Sequence, residues 1–456
     1  MQAARPPIVL YLIDTLRADR LGAWGHAGST SPVLDALARD SVVFEQAYGA
    51  APWTLPSVAS LFTSSHACEH GVVRYLQAIN PAVPTLAERL GDLGYDTGSY
   101  YSNIHSGGVG ALDRGFRLAE ERDAEDNDRS SDVAAWLADA GGKPWFLFLH
   151  TMEPHGWFSA APRYHDKGRH VAIDDRETLR AIWFRHNELR SWDWARGQTP
   201  GTTDNRAEQR EIARFLATQR SDINALYDAS VRHADENLGK VIEALKANGA
   251  WEDTLFIVLS DHGEELGEHG GWFHDHSVYE EQLRVPLLIR FPQGQYAGTR
   301  VQTPVSLVDV MPTLLDYLGA QDRCEGCRGR SLLPLVAGNR TSPDPGSDYI
   351  PAMRINELMY SADVQARRGE VNVALRRDRW KGIWNADRGQ LELYDLATDS
   401  GERVDLGRRE TEVAAGMSST ARSWLARCGQ AGRGATAVRS MDEQSKARLR
   451  ALGYFQ

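Results

Sequence analysis

FIVLSDHGEELGEHGGWFHDH, the stretch Phe256–His276, decides the fold of this chain. It begins within an unbroken apolar run, Leu255–Leu259, and such a run is typical of a strand buried on both faces of a sheet. After one serine come Asp261 and His262, so a carboxylate and an imidazole follow the carboxyl end of the strand. Open α/β sheets bind their ligands at that edge. The pattern therefore predicts an α/β fold with a functional site beside these two residues.

Two further histidines lie in the same stretch, His274 and His276, twelve and fourteen residues beyond His262. Aspartate and histidine at the end of a buried strand, with histidines folding back nearby, suit a divalent metal of the zinc or manganese type. The alternative interpretation is an acidic surface loop that contains histidines without binding a metal.

The chain has 456 residues, of which 42% are hydrophobic, enough for one large α/β domain and a smaller one. Its 62 acidic and 51 basic residues give a net charge of −11 at pH 7. This balance argues against nucleic-acid binding and against adhesion to an anionic membrane. An anionic substrate would need positive charge within the site itself, and bound metal ions would supply it.

No apolar run approaches the roughly 20 residues of a transmembrane helix, and no secretory signal precedes the first apolar strand. The chain is therefore expected to be cytoplasmic, or extracytoplasmic as a mature form whose leader has been removed. The four cysteines predict no disulfide framework. Cys324 and Cys327 are the only close pair, which indicates either a local disulfide or two free thiols.

Two more apolar runs end in candidate ligands. Ile8–Ile13 is followed by Asp14, and Pro144–His150 ends in His150, with His155 five residues further on. A lone aspartate in such a place is usually a helix cap or a turn residue. Three buried strands that each end in Asp or His instead indicate one cleft along the carboxyl edge of the sheet.

The segment Ala51–Thr63, APWTLPSVASLFT, places a hydroxyl beside a helix N-terminus. Pro56 fits the first turn of a helix that begins at about Ser57. Thr54 is then predicted just before the free backbone N–H groups, where the helix dipole favours negative charge. An alkoxide or a phosphoryl oxygen would be stabilised there. The alternative is that Thr54 is an ordinary N-cap.

The domain organisation follows from shifts in composition. Residues 1–340 are predicted to form the main α/β domain, and Ser342–Ser347 is the best linker candidate. Residues 348–456 combine short strands with a helical tail, which predicts a small α+β subdomain. Residues 156–221 form a polar, tryptophan-bearing insertion near the site. Its tryptophans either contact the organic part of a substrate or anchor the insertion to the core.

Together these residues could form a metal-assisted nucleophilic site. Asp14, Asp261 and His262 would hold one ion, with the Thr54 hydroxyl on the same ion. A bound metal lowers the pKa of an oxygen ligand, to about 7 for zinc-bound water, so Thr54 could attack phosphorus or sulfur and form a covalent ester. The residues that would contact the anion or hold a second metal are His155, His274 and His276. A weaker candidate for substrate contact is His150.

The chain resembles the sulfatase branch of the alkaline phosphatase superfamily over nearly its whole length. The motifs that carry the resemblance occur in the family order: IVLYLIDTLRADRLGAWGH (Ile8–His26), APWTLPSVASLFTS (Ala51–Ser64), HGV (His70–Val72), HTMEPH (His150–His155), LYDASVRHADENLGKVIEALK (Leu226–Lys246), VLSDHGEELGEHG (Val258–Gly270), YEEQLRVPLLIR (Tyr279–Arg290), GRSLLPL (Gly329–Leu335) and LELYDLATDSGE (Leu391–Glu402). The resemblance implies a doubly wound, mostly parallel sheet between helices, with a smaller C-terminal α+β subdomain.

The resemblance also implies roles for single residues. Thr54 matches the nucleophile position of the family. His155 and His274 match positions that contact the sulfuryl or phosphoryl group, and similarly placed histidines hold a second zinc in relatives that resemble phosphoethanolamine transferases. The residues that match family metal ligands are Asp14, Asp261 and His262. With weaker support, the resemblance also implies substrate contacts at Asn103 and His70.

Two departures from the family pattern change the expected chemistry. Sulfatases carry Cys or Ser in a C/S-x-P-x-R signature and oxidise it to formylglycine, an aldehyde. Thr54 would give a ketone on oxidation, and Val58 replaces the signature arginine, so formylglycine is not expected. Ile13 also replaces one of two adjacent aspartates, and His262 replaces an asparagine. One carboxylate fewer and one imidazole more favour zinc or manganese over calcium, as one or two ions.

The sequence therefore predicts a metal-dependent hydrolase of small anionic phosphate mono- or diesters that works through Thr54. The alternatives are a sulfuric ester hydrolase without formylglycine, a phosphoryl-group transferase, and a catalytically degenerate binding protein. Neither a nucleic-acid partner nor a transmembrane segment is expected, and association into a homo-oligomer stays open.

Overall fold

The computed structural model describes residues 5–73, 77–157, 179, 181–182, 185, 203–338, 349–356 and 370–431. The predicted linker Ser342–Ser347 lies outside the described residues. So do Trp183, Trp192 and Trp194 and much of the rest of the 156–221 insertion.

A nine-stranded sheet forms the centre of the molecule. Its strands are β1 (Ile8–Ile13), β2 (Val42–Tyr48), β3 (Asp96–Tyr101), β4 (Leu118–Glu121), β5 (Trp145–Thr151), β6 (Leu255–Leu259), β9 (Arg284–Arg290), β10 (Arg300–Val301) and β11 (Val305–Ser306). The order is β10-β2-β9-β6-β1-β5-β3-β4, with β11 also paired to β2. Strands β6, β1, β5, β3 and β4 are parallel, whereas β9 runs antiparallel to both neighbours. Two short strands form a separate hairpin, β7 (Glu265–Leu266) and β8 (Trp272–Phe273).

Helices cover both faces of the sheet and bury alternate residues of each strand. Ile8, Leu10 and Leu12 of β1 belong to one apolar cluster, and Val9 and Tyr11 belong to the other. The helices are α1 (Pro32–Arg39), α2 (Thr54–Thr63), α3 (Ala67–His70), α4 (Leu86–Asp92), α5 (Ser130–Asp139), α6 (Thr203–Thr218), α7 (Arg220–Ala247), α8 (Glu280–Leu283), α9 (Val310–Tyr317), α10 (Leu333–Val336) and α11 (Thr411–Ala431). This confirms the predicted doubly wound α/β fold.

A second, four-stranded antiparallel sheet follows the main one. Its strands are β12 (Ile350–Asn356), β13 (Glu370–Arg377), β14 (Trp380–Asn385) and β15 (Gln390–Asp395), and helix α11 packs against it. The predicted C-terminal α+β subdomain is therefore present, with β12 as a strand that the sequence did not indicate.

The cysteines correct one prediction. Cys68 of α3 is bonded to Cys428 of α11, and Cys324 is bonded to Cys327. The absence of a disulfide framework was expected because Cys68 and Cys428 are 360 residues apart in the chain, and no local spacing indicates such a pair.

Among the described helices, none combines the length and the apolar character needed to cross a bilayer.

Candidate active site

Two adjacent parallel strands place three candidate metal ligands side by side. Strand β1 pairs with β6, with Leu12 opposite Leu259, so Asp14 leaves the sheet beside Asp261 and His262. All three side chains are fully buried. One potential ligand atom from each lies within 4.8 Å of the others.

The Thr54 hydroxyl joins this cluster from helix α2. Its Oγ1 lies 3.4 Å from Asp14 Oδ2 and 3.3 Å from His262 Nε2. The helix begins at Thr54 itself, with Trp53 as N-cap, and not near Ser57 as the proline indicated. Thr54 is thus the first helical residue, and it presents its hydroxyl at the positive end of the helix dipole.

Close backbone contact fixes α2 against the end of β6. Ser57 Oγ donates a hydrogen bond to the Asp261 carbonyl at 2.7 Å. The loop before α2 passes so near that a Cβ on Gly49 would lie 2.3 Å from the same carbonyl oxygen. Only glycine fits there, and this contact sets the distance between the threonine and the carboxylate.

Asn103 and His150 both approach the Asp14 carboxylate. Asn103 Nδ2 donates to Asp14 Oδ2 at 3.1 Å and to Thr54 Oγ1 at 3.3 Å. His150 Nε2 lies 3.3 Å from Asp14 Oδ2. Asn103 lies two residues beyond Tyr101, the last residue of β3. It caps a short 3₁₀ turn, which aims its amide into the cluster.

The two carboxylates fit a cation-binding site. Asp14 Oδ1 and both Asp261 oxygens are buried without a hydrogen-bond donor among the described residues. Burial, and then the Asp14 charge, raise the pKa of Asp261 well above its ordinary value. Burial alone would also raise the pKa of Asp14, but His150, His155 and His262 hold it well below its ordinary value. Such a pair ionises fully only when a cation offsets the second charge.

The His262 ring is oriented for a metal. Its Nδ1 donates to the Gly263 carbonyl at 2.9 Å, which leaves the Nε2 lone pair facing Asp14 and Thr54. Burial, and then the nearby His274, lower the pKa of His262 to about 4. The ring is therefore neutral near pH 7, and neutral imidazole is the form that binds metals.

His155 and His274 form a second group of rings beside the first. The His274 ring centroid lies 5.0 Å from that of His155 and 4.6 Å from that of His262. His274 Nδ1 lies 2.8 Å from Glu264 Oε2, so a buried carboxylate holds this ring in place. Burial lowers the pKa of His155 to about 3. This geometry can hold a second ion or receive the outer oxygens of an anion.

Two other candidates lie elsewhere. His276 Nε2 contacts Glu265 Oε2 at 2.6 Å, and its Nδ1 lies 3.2 Å from the His274 carbonyl. His70 lies 3.0 Å from Ser60 Oγ and accepts from the Val72 N–H. Both rings hold local structure in place and are not brought to the Thr54 cluster.

Sequence reasoning missed His105, which follows Asn103 by two residues. The ring is fully buried and meets the Trp53 ring edge-on at 6.0 Å. Burial lowers the pKa of His105 to about 3, although the Asp14 charge acts in the opposite direction. The signal that could have found it is the one used for His150, a histidine at the carboxyl end of a strand.

Another His/Glu group, consisting of Glu265, His269 and Glu281, is dense enough to hold an ion. Its polar atoms already have protein partners. His269 Nδ1 lies 2.7 Å from Glu281 Oε1 and Nε2 lies 3.2 Å from the Glu402 carbonyl, while Glu265 accepts from two backbone N–H groups. Hydrogen bonding alone accounts for this cluster.

Trp157, the one insertion tryptophan among the described residues, is buried in the core. Its ring stacks on Phe273 with centroids 6.1 Å apart. For this residue the structure supports the anchoring interpretation over direct contact with a substrate.

Comparison with known proteins agrees with this architecture. The family model described as "Sulfatase" matches residues 6–320, and that described as "N-sulphoglucosamine sulphohydrolase, C-terminal" matches residues 267–419. An arylsulfatase of Clostridium perfringens (strain 13 / Type A) is 24% identical over an alignment of 467 residues that covers 88% of this chain and 90% of the relative. The multifunctional alkaline phosphatase superfamily protein PehA of Trinickia caryophylli is 25% identical over 417 residues, 74% of this chain and 78% of the relative.

The phosphonate monoester hydrolase of Agrobacterium radiobacter shares the fold. Its crystal structure gives a TM-score of 0.71 at 22% identity, over 93% of this chain and 96% of that chain. Because the sulfatase family model covers most of the chain, the protein belongs to the sulfatase family and is a hydrolase of the alkaline phosphatase superfamily.

Proposed function

We propose that the protein is a metal-dependent phosphoester hydrolase in which Thr54 is the covalent nucleophile. One observation carries this proposal: the Thr54 oxygen lies within 3.4 Å of both Asp14 and His262 at the N-terminus of a buried helix. These residues come from three separate parts of the chain. A threonine that only begins a helix would not need to meet a carboxylate and an imidazole.

Asp14, Asp261 and His262 would hold the ion. Two carboxylates and one neutral imidazole form a mixed oxygen and nitrogen donor set, which favours zinc or manganese over calcium. When bound, the divalent cation would supply the positive charge that makes hydroxyl ionisation and attack on an anionic ester favourable near neutral pH.

The remaining roles in the proposed reaction belong to side chains of this protein. Thr54 Oγ1 attacks phosphorus and forms a new P–O bond while the bond to the alcohol oxygen breaks, and the hydroxyl proton ends on the departing alcohol. Asn103 donates to the Thr54 oxygen, and His155 and His274 face the outer oxygens of the transferred group. Water then attacks phosphorus, which restores the Thr54 hydroxyl and releases phosphate or a phosphate monoester.

Replacing Thr54 by an isosteric apolar residue tests the nucleophile. Thr54→Val should lower kcat on aryl phosphates by at least about 10³-fold, because covalent catalysis is lost, with metal content nearly unchanged. Thr54→Ser keeps a hydroxyl and should retain measurable turnover with a phosphoseryl intermediate that mass spectrometry can detect. Full activity of Thr54→Val would end the nucleophile proposal.

Sulfate-ester hydrolysis through unmodified threonine is the second candidate, favoured by the similarity to an arylsulfatase. Rates on aryl sulfate and aryl phosphate with the same leaving group separate the two. A transferase would share the first half-reaction and pass the phosphoryl group to an added alcohol acceptor instead of water. Absence of divalent metal from the purified protein would favour a degenerate binding protein.

We also propose that residues 1–340 form the catalytic domain and residues 348–456 the C-terminal subdomain, with the 156–221 insertion bordering the site. The separate antiparallel sheet β12–β15 supports the boundary between the catalytic domain and the C-terminal subdomain. Trp157 lies two residues after His155 and stacks on Phe273, which supports an insertion that borders the site.

A further inference from the structure

Thr15, the residue after Asp14, has an unusual backbone conformation. Its φ is +58°, and its side chain is fully buried. Left-handed backbone is uncommon for any residue other than glycine and is a genuine outlier for a β-branched one. Such a conformation persists only where the surrounding structure holds it. Because this peptide joins the proposed metal ligand to the rest of its loop, its orientation sets where the Asp14 carboxylate points.

The Tyr227 hydroxyl holds both sides of this turn. Tyr227 lies in the second turn of helix α7 and is fully buried. Its hydroxyl donates to the Thr15 carbonyl at 2.6 Å and accepts from the Arg17 N–H at 3.0 Å. One oxygen atom therefore satisfies a carbonyl and an N–H that the left-handed turn takes out of regular structure.

A second hydroxyl connects this turn to the other ligand-bearing loop. Ser260 Oγ accepts from the Leu16 N–H at 2.8 Å and donates to the His262 carbonyl at 2.8 Å. The loop after β1 is thus fixed to helix α7 on one side and to the loop after β6 on the other. At Thr15 itself, the side-chain Oγ1 donates to the Asp14 carbonyl at 2.7 Å, and the carbonyl accepts from the Tyr227 hydroxyl.

We propose that Tyr227 is a positioning residue for the metal centre: its hydroxyl keeps Thr15 in the left-handed conformation and thereby aims the Asp14 carboxylate at the ion. The proposal rests on the proposed function, because it takes Asp14 as a metal ligand. Tyr227 contacts neither Asp14 nor Thr54 and acts only through the backbone. Without the hydroxyl, Thr15 relaxes toward negative φ, and the peptide that carries Asp14 rotates.

Tyr227→Phe removes one oxygen and keeps the ring in the core. The variant should bind Zn²⁺ or Mn²⁺ roughly 10- to 100-fold more weakly, the usual effect of losing an outer partner of a metal ligand. Affinity is measured by competition with a chromophoric chelator. Turnover of an aryl phosphate should fall at limiting metal and recover at saturating metal.

Tyr95→Phe is the matched control. Its hydroxyl also donates to a backbone carbonyl, that of Pro6, at 2.9 Å, and it too is a buried tyrosine. Tyr95 lies at the amino end of β3, the edge of the sheet opposite the site. The control should lose a similar amount of thermal stability and keep wild-type metal affinity.

Thr15→Gly separates positioning from general stabilisation, because glycine adopts positive φ without strain. Alone, it should bind metal within about threefold of wild type. Combined with Tyr227→Phe, it should restore most of the lost affinity, because the turn no longer needs to be held.

The outcomes are distinct. Wild-type metal affinity in Tyr227→Phe, or no recovery in the double variant, overturns the positioning role while the proposed function stands. If the wild-type protein binds no divalent metal at all, the proposed function fails, and this proposal fails with it. Should Tyr227→Phe not fold, the Thr15→Gly/Tyr227→Phe pair decides, because the strain that requires the hydroxyl is then absent.

Discussion

At the scale of single residues, the site brings together charges that oppose one another. Asp14 and Asp261 face the same buried space, and the pKa of Asp261 is raised by burial and by the Asp14 charge. The rings of His155 and His262, with lowered pKa values, add no positive charge near neutral pH. Without a cation this arrangement destabilises the folded protein, as expected of a site kept for function.

Asp261→Asn should therefore have opposite effects on stability and on metal binding. The metal-free variant should gain about 0.5–2 kcal/mol in free energy of unfolding, because a buried carboxylate beside another is removed. Metal affinity should fall by at least about 10-fold, since a charged ligand is lost. Urea denaturation after treatment with a chelator measures the first effect, and elemental analysis after dialysis measures the second.

Asp322→Asn is the control, since that side chain is 82% exposed and should change neither quantity. Asp261→Asn protein that is less stable than wild type without metal, or that retains full metal content, would contradict the cation-site interpretation.

At the scale of elements, helix α1 is capped by a residue from another helix. Its own N-cap, Ser31, makes no side-chain capping bond. The Asp235 carboxylate of α7 instead accepts from the N–H groups of Val33 and Leu34 at 2.9 and 2.7 Å. This contact ties the first turn of α1 to the long helix that also carries Tyr227.

This cap should make stability depend on pH. Burial raises the pKa of Asp235 from 3.8 to about 6. A raised folded-state pKa contributes stability that is fully present below the unfolded value and is lost as pH rises through the folded value. The free energy of unfolding of wild type, minus that of Asp235→Asn, should therefore fall by on the order of 2–3 kcal/mol between about pH 4 and pH 7.

Urea unfolding of both proteins at the two pH values measures this difference, and the subtraction removes the contributions of other titrating groups. A difference that stays constant, or that grows with pH, would show that Asp235 is not the group involved.

At the scale of the whole molecule, a buried network of charged residues joins the C-terminal sheet to the loop that carries His274. Lys381 of β14 is buried and contacts Glu280 at 3.0 Å and Glu402 at 2.9 Å. Glu402 also accepts from the Glu280 N–H, and Arg354 Nε of β12 donates to the Asp275 carbonyl at 2.9 Å. The subdomain therefore holds the loop that carries His274.

Lys381→Met should weaken the contact between the C-terminal subdomain and the loop that carries His274. It leaves two buried carboxylates without their cation, which typically costs about 3–5 kcal/mol, and it should lower kcat on aryl phosphates because His274 is less well placed. Adding Glu280→Gln and Glu402→Gln should recover most of the stability. Differential scanning calorimetry and steady-state kinetics provide the two measurements.

Lys246→Met tests an exposed lysine with one acidic neighbour, Glu243, and should change stability by less than about 1 kcal/mol. A Lys381→Met protein as stable as this control would mean that the network does not hold the subdomain.

The strand ends were predictable from sequence because strands buried on both faces give unbroken apolar runs. The apolar runs alone therefore suffice to assign Asp14, His150 and Asp261 to one edge of the sheet. The first residue of α2 could not be predicted from Pro56, since a proline is tolerated throughout the first turn of a helix. The prediction placed the helix start three residues late, which does not affect the position of Thr54 near its N-terminus.

The contacts that distant segments make were not predictable. The sequence gives no sign that Tyr227 meets Thr15, that β12 extends the small sheet, or that Lys381 lies between two glutamates. These contacts depend on how the folded helices and strands pack against one another, and the periodicity of apolar residues does not predict that packing. His276 and His70 show the converse, because their residue types suit a site while the hydrogen bonds that the structure shows for their rings go to other partners.

The bond between Cys68 and Cys428 has a consequence for biosynthesis. At ordinary ribosomal rates the second cysteine emerges roughly 20 to 70 seconds after the first, and by then Cys324 and Cys327 have already been made. Four thiols allow three pairings, and oxidation in order of emergence would join the wrong ones. Correct maturation therefore requires either delayed oxidation or a catalyst of disulfide exchange. Helix α3, which follows α2 in the chain, receives its covalent crosslink last.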